Sequence, residues 1–257
     1  MDVIIISLVT FLAAILTFFS GFGLGTILAP IMMLYFPVEV AISFTGIIHF
    51  SNNVFKLFII GKNVNREVLL KFGIPAVLAA FIGSYLLFDL DSNKIIYSYY
   101  LEGEIIEISL VTFTVSLLLI IFALIDLIPY FGRLRFGSKS LPFGGLLSGF
   151  FGGLTGNQGA LRSAFLIKVG LKKEVFIATT VVISSFVDLT RLSIYTSNLW
   201  NVNLSDHYVL AFSAISAGIL GSFLGNKLLK KITLRFIRIL VAVLITILAL
   251  GLLLGLL

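Results

Sequence analysis

Gly153-Leu-Thr-Gly-Asn-Gln-Gly-Ala-Leu-Arg-Ser163 is the stretch on which the reading of this chain turns. Three glycines, an amide pair and an arginine fall within eleven residues of an otherwise apolar region. Glycine costs about 1 kcal/mol relative to alanine in a helix interior, so the run reads as a helix break. Inside a bilayer, broken backbone is tolerated only where it is buried in protein or lines a watery cavity. A second break, Gly21-Phe-Gly-Leu-Gly25, sits early in the chain. The two are expected to face each other across a substrate site.

Composition sets the class. Of 257 residues, 59% are hydrophobic and 12% charged, against about 25% charged in soluble domains. Several apolar runs exceed the ~18 residues that mark a spanning helix. The chain is therefore read as one integral membrane domain, residues 1–257. The net charge of +6 resides in short loops between apolar segments, a pattern of topology rather than of a nucleic-acid face. The absence of cysteine and the presence of only two histidines, His49 and His207, argue against disulfides, thiolate chemistry and a histidine metal cluster. No metal or cofactor is expected. Met1-Asp-Val-Ile-Ile-Ile lacks the basic region of a signal peptide, so the first apolar run is read as mature structure.

Apolar runs lie at about 3–19, 26–36, 40–60, 68–88, 105–128, 141–151, 160–170, 174–196, 207–229 and 233–257. Short runs pair around the glycine breaks, 3–19 with 26–36 and 141–151 with 160–170. Such lengths suit re-entrant segments, although 3–19 is long enough to span alone. Lys62, Arg66 and Lys71, then Arg133, Arg135 and Lys139, then Lys168, Lys172 and Lys173, and finally Lys227, Lys230, Lys231, Arg235 and Arg238 mark cytoplasmic loops. The 89–107 loop carries Asp89, Asp91, Glu102, Glu104 and Glu107 and is placed outside. With these assignments each half holds one hairpin and three spanning helices. The expected fold is an all-α polytopic membrane protein of two inverted-topology repeats, about 1–130 and 137–257.

Internal similarity points the same way. Glu39-Val40 matches Glu174-Val175, Asn53 matches Asp188 and Lys56 matches Arg191, all at an offset of 135. Ile82-Gly-Ser-Tyr-Leu86 matches Leu220-Gly-Ser-Phe-Leu224 at 138.

His49, Asn52, Asn53 and Lys56 share one helix face, as do Ser184, Asp188, Arg191 and Tyr195. An Arg, Lys or Asp at a membrane helix centre costs about 2.5–3.5 kcal/mol on insertion scales, so it faces protein or water and takes partners. Two readings stand beside each other for most of these groups. Lys56 either snorkels to the interface or serves a site. Asp188 and Arg191 are either a structural ion pair or functional groups. Asn52 and Asn53 also suit interhelical hydrogen bonding. His207, beside Asp206, reads as solvated, and Gly83, Gly218, Gly221 and Gly225 as packing positions. At the breaks, helix N-termini favour anions through free N–H groups and the helix dipole. The candidate substrate ligands are Gly23, Gly25, Thr26, Asn53, Gly156, Asn157, Gln158, Gly159, Arg162 and Arg191, with His49 and Asp188 as candidate proton carriers.

The Gly23, Gly25 and Pro30 element, repeated as GLTGNQGALRSAFL from Gly153 to Leu166, resembles the TauE/SafE family of membrane transporters over nearly the whole chain. Leu24 and Thr26 interrupt the family's glycine run, and Ala164 stands where its second element carries proline. The resemblance implies transport of sulfite, sulfonates or related small organic anions across the bacterial inner membrane. The expectation is thus a multi-pass secondary transporter working by alternating access in the lipid bilayer, not an enzyme, with a small anion as its partner. A passive anion channel is the alternative.

Overall fold

The computed structural model describes residues 2–18, 23–61, 63–90, 93–101, 103–127, 137–198, 207–228 and 234–256. Lys62, Asp91, Glu102, Arg133, Arg135, Asp206, Lys230 and Lys231 lie outside them, as do Gly21 and the side chains of Lys168, Arg235 and Arg238.

Both breaks are made by a glycine in the left-handed region. Helix α1 (Asp2–Thr17) is followed by α2 (Leu24–Met32), capped by Gly23 at φ 112°. A Cβ there would stand 2.7 Å from Thr17 Cγ2, so both the dihedral and the space require glycine. After α3 (Val38–Ile60) and α4 (Arg66–Asp89) come strands β1 (Ile95–Leu101) and β2 (Glu104–Ser109), then α5 (Leu110–Leu127). Helix α6 (Leu141–Thr155) ends on Gly156 at φ 75°, whose N–H bonds back to Gly152 O, and α7 (Gly159–Leu166) starts three residues on. Helices α8 (Lys173–Asn198), α9 (Tyr208–Leu228) and α10 (Leu234–Leu253) complete the chain.

The helices differ widely in length. Arg66–Asp89, Lys173–Ser197 and Tyr208–Lys227 are long and apolar enough to cross a membrane. Helix α3, with 23 residues, reaches about 35 Å at ~1.5 Å per residue. Helices α2 and α7, with 9 and 8 residues, reach only about 12–14 Å of a ~30 Å hydrocarbon core. Within α4, Pro75 has no N–H and crowds the carbonyl a turn earlier, and the Leu69–Gly73 segment widens into a π-turn just before it.

Small residues let backbones touch. A Cβ at Gly145, Gly149 or Gly153 of α6 would overlap the Phe72, Ala76 or Ala80 carbonyl oxygen of α4. Helix α9 does the same to α1, where a Cβ on Gly221 would overlap Phe11 O. This small-residue approach is how membrane helices gain packing without a hydrophobic force between them. Helix α3 packs on α8, and α5 on α10.

The helical expectation holds except at residues 95–109, where β1 and β2 pair antiparallel around Gly103 at φ 93°. Tyrosine and isoleucine in that segment favour extended backbone. The Tyr97 and Tyr99 hydroxyls donate to the Leu253 and Leu254 carbonyls, tying the hairpin to the end of α10. His207 also departs from expectation. It is half-buried, with its ring edge-on to Phe36 and Phe44 at 5.1 and 5.8 Å between centroids.

Candidate functional site

The two breaks meet. Thr26 Oγ1 donates to Asn157 Oδ1 at 3.0 Å, joining residues 131 positions apart. A Cβ on Gly25 would lie 3.6 Å from Gly156 O and 3.5 Å from His49 Cδ2. Local bonds shape the second break. Asn157 N donates to Thr155 Oγ1 at 3.2 Å, and Ser148 Oγ donates to Gln158 O at 2.9 Å. The Tyr195 hydroxyl donates to Gly153 O, holding the end of α6 against α8.

Between the breaks is a cavity with about 10 Å³ of water-accessible volume, lined by Gly23, Gly25, Thr26, His49, Gly156, Gln158, Gly159 and Arg162. The first intrahelical bonds of α2 and α7 run from Ile27 N to Gly23 O and from Arg162 N to Gln158 O. The N–H groups ahead of Ile27 and Arg162 thus have no carbonyl inside their own helix, and they carry the positive end of each dipole.

Asp188 organises the layer behind the cavity. Its Oδ2 accepts from His49 Nδ1 at 2.7 Å and Asn53 Nδ2 at 3.0 Å. Its Oδ1 accepts from Gln158 Nε2 at 3.0 Å and faces Arg191 Nη2 at 2.9 Å. Because a carboxylate only accepts, His49 carries its proton on Nδ1, and Nε2 is the ring nitrogen that Asp188 does not engage. Arg162 Nη1 donates to Gln158 Oε1 at 3.0 Å and to Ser184 Oγ. Arg191 lies behind the second break, its Nη1 3.3 Å from where a Cβ on Gly156 would be. Arg191 is fully buried, yet its Nε and Nη1 have no hydrogen-bond partner among the described residues.

Charge does not balance. Among the described residues Arg162 and Arg191 are buried guanidinium groups, Lys56 is a buried amine, and Asp188 is the one buried carboxylate. A buried charge is costly unless it is paired, so the surplus of positive charge suits a bound anion.

Most of the sequence candidates come together here. Gly23, Gly25, Thr26, His49, Gly156, Gln158, Gly159 and Arg162 line one cavity, and Asn157 links its two walls. Asn53 and Arg191 are not among the lining residues. Asn53 gives its amide to Asp188, and Arg191 is held by the same carboxylate. Two partners were not anticipated, Ser184 on Arg162 and Ser148 on the Gln158 carbonyl. Ser184 was legible in part, since it stands four residues before Asp188 on the same stripe.

Fold and centre define a helical membrane protein whose interior holds a small polar cavity lined by one arginine. The sulfite exporter TauE/SafE family profile matches residues 6–252, and the chain belongs to that family. Its members are transporters of sulfite and sulfonates, so the chain is a membrane transporter and not an enzyme. No curated protein and no solved structure matches it.

Proposed function

We propose that the protein is a secondary transporter of a small oxyanion, sulfite or a sulfonate, across the cell membrane. The observation that carries this reading is the pair of helix N-termini meeting at a buried cavity with surplus positive charge. The backbone N–H groups of α2 and α7, with Gln158 and Arg162, bind the anion. Thr26 and Asn157 hold the two walls in register, and Asp188 fixes Arg191, Gln158 and His49 around them. His49 Nε2 and Asp188 are the carriers of a coupling proton, because intramembrane ionisable groups commonly form proton relays.

We take alternating access as the mechanism, with the cavity closed in this conformation. About 10 Å³ holds no more than one water, so an oxyanion enters only when the walls separate. The two halves act as inverted repeats, each contributing one re-entrant hairpin. Support comes from reciprocal packing, with α4 of the first half on α6 of the second and α9 of the second on α1 of the first. Asn53 and Asp188, matched at an offset of 135, also touch each other.

The test uses purified protein in liposomes with labelled sulfite or a sulfonate. Wild-type protein moves the anion, and Arg162→Ala abolishes the movement without loss of folded protein. Undiminished flux in Arg162→Ala removes that residue from the site. Flux indifferent both to a pH gradient and to Asp188→Asn selects the channel.

A further inference from the structure

Lys56 carries a buried amino group that the cavity does not use. It is only 4% exposed, and no carboxylate pairs with it among the described residues. The face of Phe18 lies 5.5 Å from Nζ to the ring centroid. Beside it, Asn52 is tied to α9. With the amide nitrogen turned to Gly218 O (3.0 Å) and Ser222 Oγ (2.7 Å), its oxygen accepts from Lys56 Nζ at 3.3 Å. A ring face and one amide are weak compensation for a buried charge. Arg162, within electrostatic reach, adds repulsion.

The second half shows what is missing. Lys56 stands at the same offset of 135 from Arg191 as Asn53 does from Asp188. Arg191 has its carboxylate three residues earlier on its own helix, at 2.9 Å. In the first half that position is Asn53, whose amide cannot neutralise a cation. Of the two matched cations, Lys56 alone lacks a carboxylate partner among the described residues.

Its position gives the vacancy of charge a direction. Lys56 is seven residues beyond His49 on α3, which is about 10 Å at ~1.5 Å per residue. The displacement runs toward the Gly61 end of the helix, where Arg66 and Lys71 mark the cytoplasmic side.

We propose that Lys56, with Asn52 and the Phe18 ring, forms a second anion station between the central cavity and the cytoplasm. An oxyanion there draws the ammonium from Phe18 and pairs with it, then passes to Arg162 when the central walls part. The Phe18 face holds the side chain between cycles. This deepens the transport reading above and takes its substrate, a sulfite-like oxyanion, from it.

Two measurements test it. In liposomes of known orientation, Lys56→Gln raises the KM for sulfite offered at the cytoplasmic face by at least about tenfold, leaves KM at the outer face unchanged, and Lys56→Arg restores the wild-type value. An unchanged KM at both faces, or an equal rise at both, overturns the station, as does failure of Lys56→Arg to rescue a folded protein. The second measurement needs no transport. Because the chain contains no cysteine, Lys56→Cys is a unique target for membrane-impermeant thiosulfonate reagents. The expected result is modification from the cytoplasmic face. No modification, or modification only from outside, overturns the station. If Lys56→Cys reacts as expected while wild-type protein moves no sulfite, the cytoplasmic path to this position stands and the sulfite reading falls.

Discussion

Asp188→Asn is the perturbation with the largest calculable consequence. The carboxylate satisfies His49 Nδ1, Asn53 Nδ2 and Gln158 Nε2 and neutralises Arg191, and all four contacts lie at 3.0 Å or less. An amide of the same shape keeps one acceptor oxygen and turns the other into a donor. Either His49 and Asn53, or Gln158 and Arg191, then face a nitrogen that cannot accept. Removing one partner of a buried ion pair costs about 3–5 kcal/mol, because the remaining charge is left uncompensated. At roughly 2–4 °C per kcal/mol for a chain of this size, melting falls by about 10 °C. The assay is thermal melting of the detergent-solubilised protein with and without sulfite. Two further results follow from the same physics. Sulfite stabilises the variant more than it stabilises the wild type, because an added anion restores the missing charge. The double variant Asp188→Asn/Arg191→Gln recovers part of the loss, since removing both partners is less costly than removing one. If the single variant melts with the wild type, or if the double variant loses the sum of the two single effects, Asp188 is not the electrostatic centre described here.

Thr26→Val removes the hydrogen bond that joins the two breaks and leaves Asn157 Oδ1 without this donor. It is expected to cost about 1–3 kcal/mol and to slow sulfite flux, and wild-type melting and flux would show the link to be incidental. Gly156→Ala forces a left-handed dihedral on a residue with Cβ and brings that atom to 3.3 Å from Arg191 Nη1. The dihedral alone costs about 1–2 kcal/mol, and a melting curve matching the wild type would refute the packing described. His49→Gln retains a group able to donate to Asp188 but removes the titratable ring. Flux measured as a function of pH should lose the part of its pH dependence that His49 supplies. A profile as steep as the wild type's would exclude His49 as the proton carrier.

Some of the centre was legible because a bilayer punishes broken backbone. Glycine-rich interruptions of apolar runs are conspicuous there, and Gly23 and Gly156 are the residues with positive φ at the breaks. Helical periodicity also paired Asp188 with Arg191, since a contact three residues apart is a property of one helix. The same local reasoning failed for Asn53. Its face was readable, but its commitment to Asp188, 135 residues away, was not. His207 was misread because its neighbours in sequence are polar, whereas its neighbours in space are the Phe36 and Phe44 rings. The β-hairpin at 95–109 escaped notice because its acidic residues read as a loop and its isoleucines as the start of a helix.

The sequence by itself determined that this chain lives in a membrane, where its helices run, and where two of them break. Those properties follow from hydrocarbon as solvent, which ties apolar length and backbone satisfaction to local composition. Only the tertiary structure decided that the breaks touch through Thr26 and Asn157, that Asp188 gathers donors from α3, α8 and the second break, and that Lys56 stays buried with no carboxylate partner among the described residues. Burial and charge compensation are sums over neighbours in space, and the neighbours that matter here are separated by up to 139 positions along the chain.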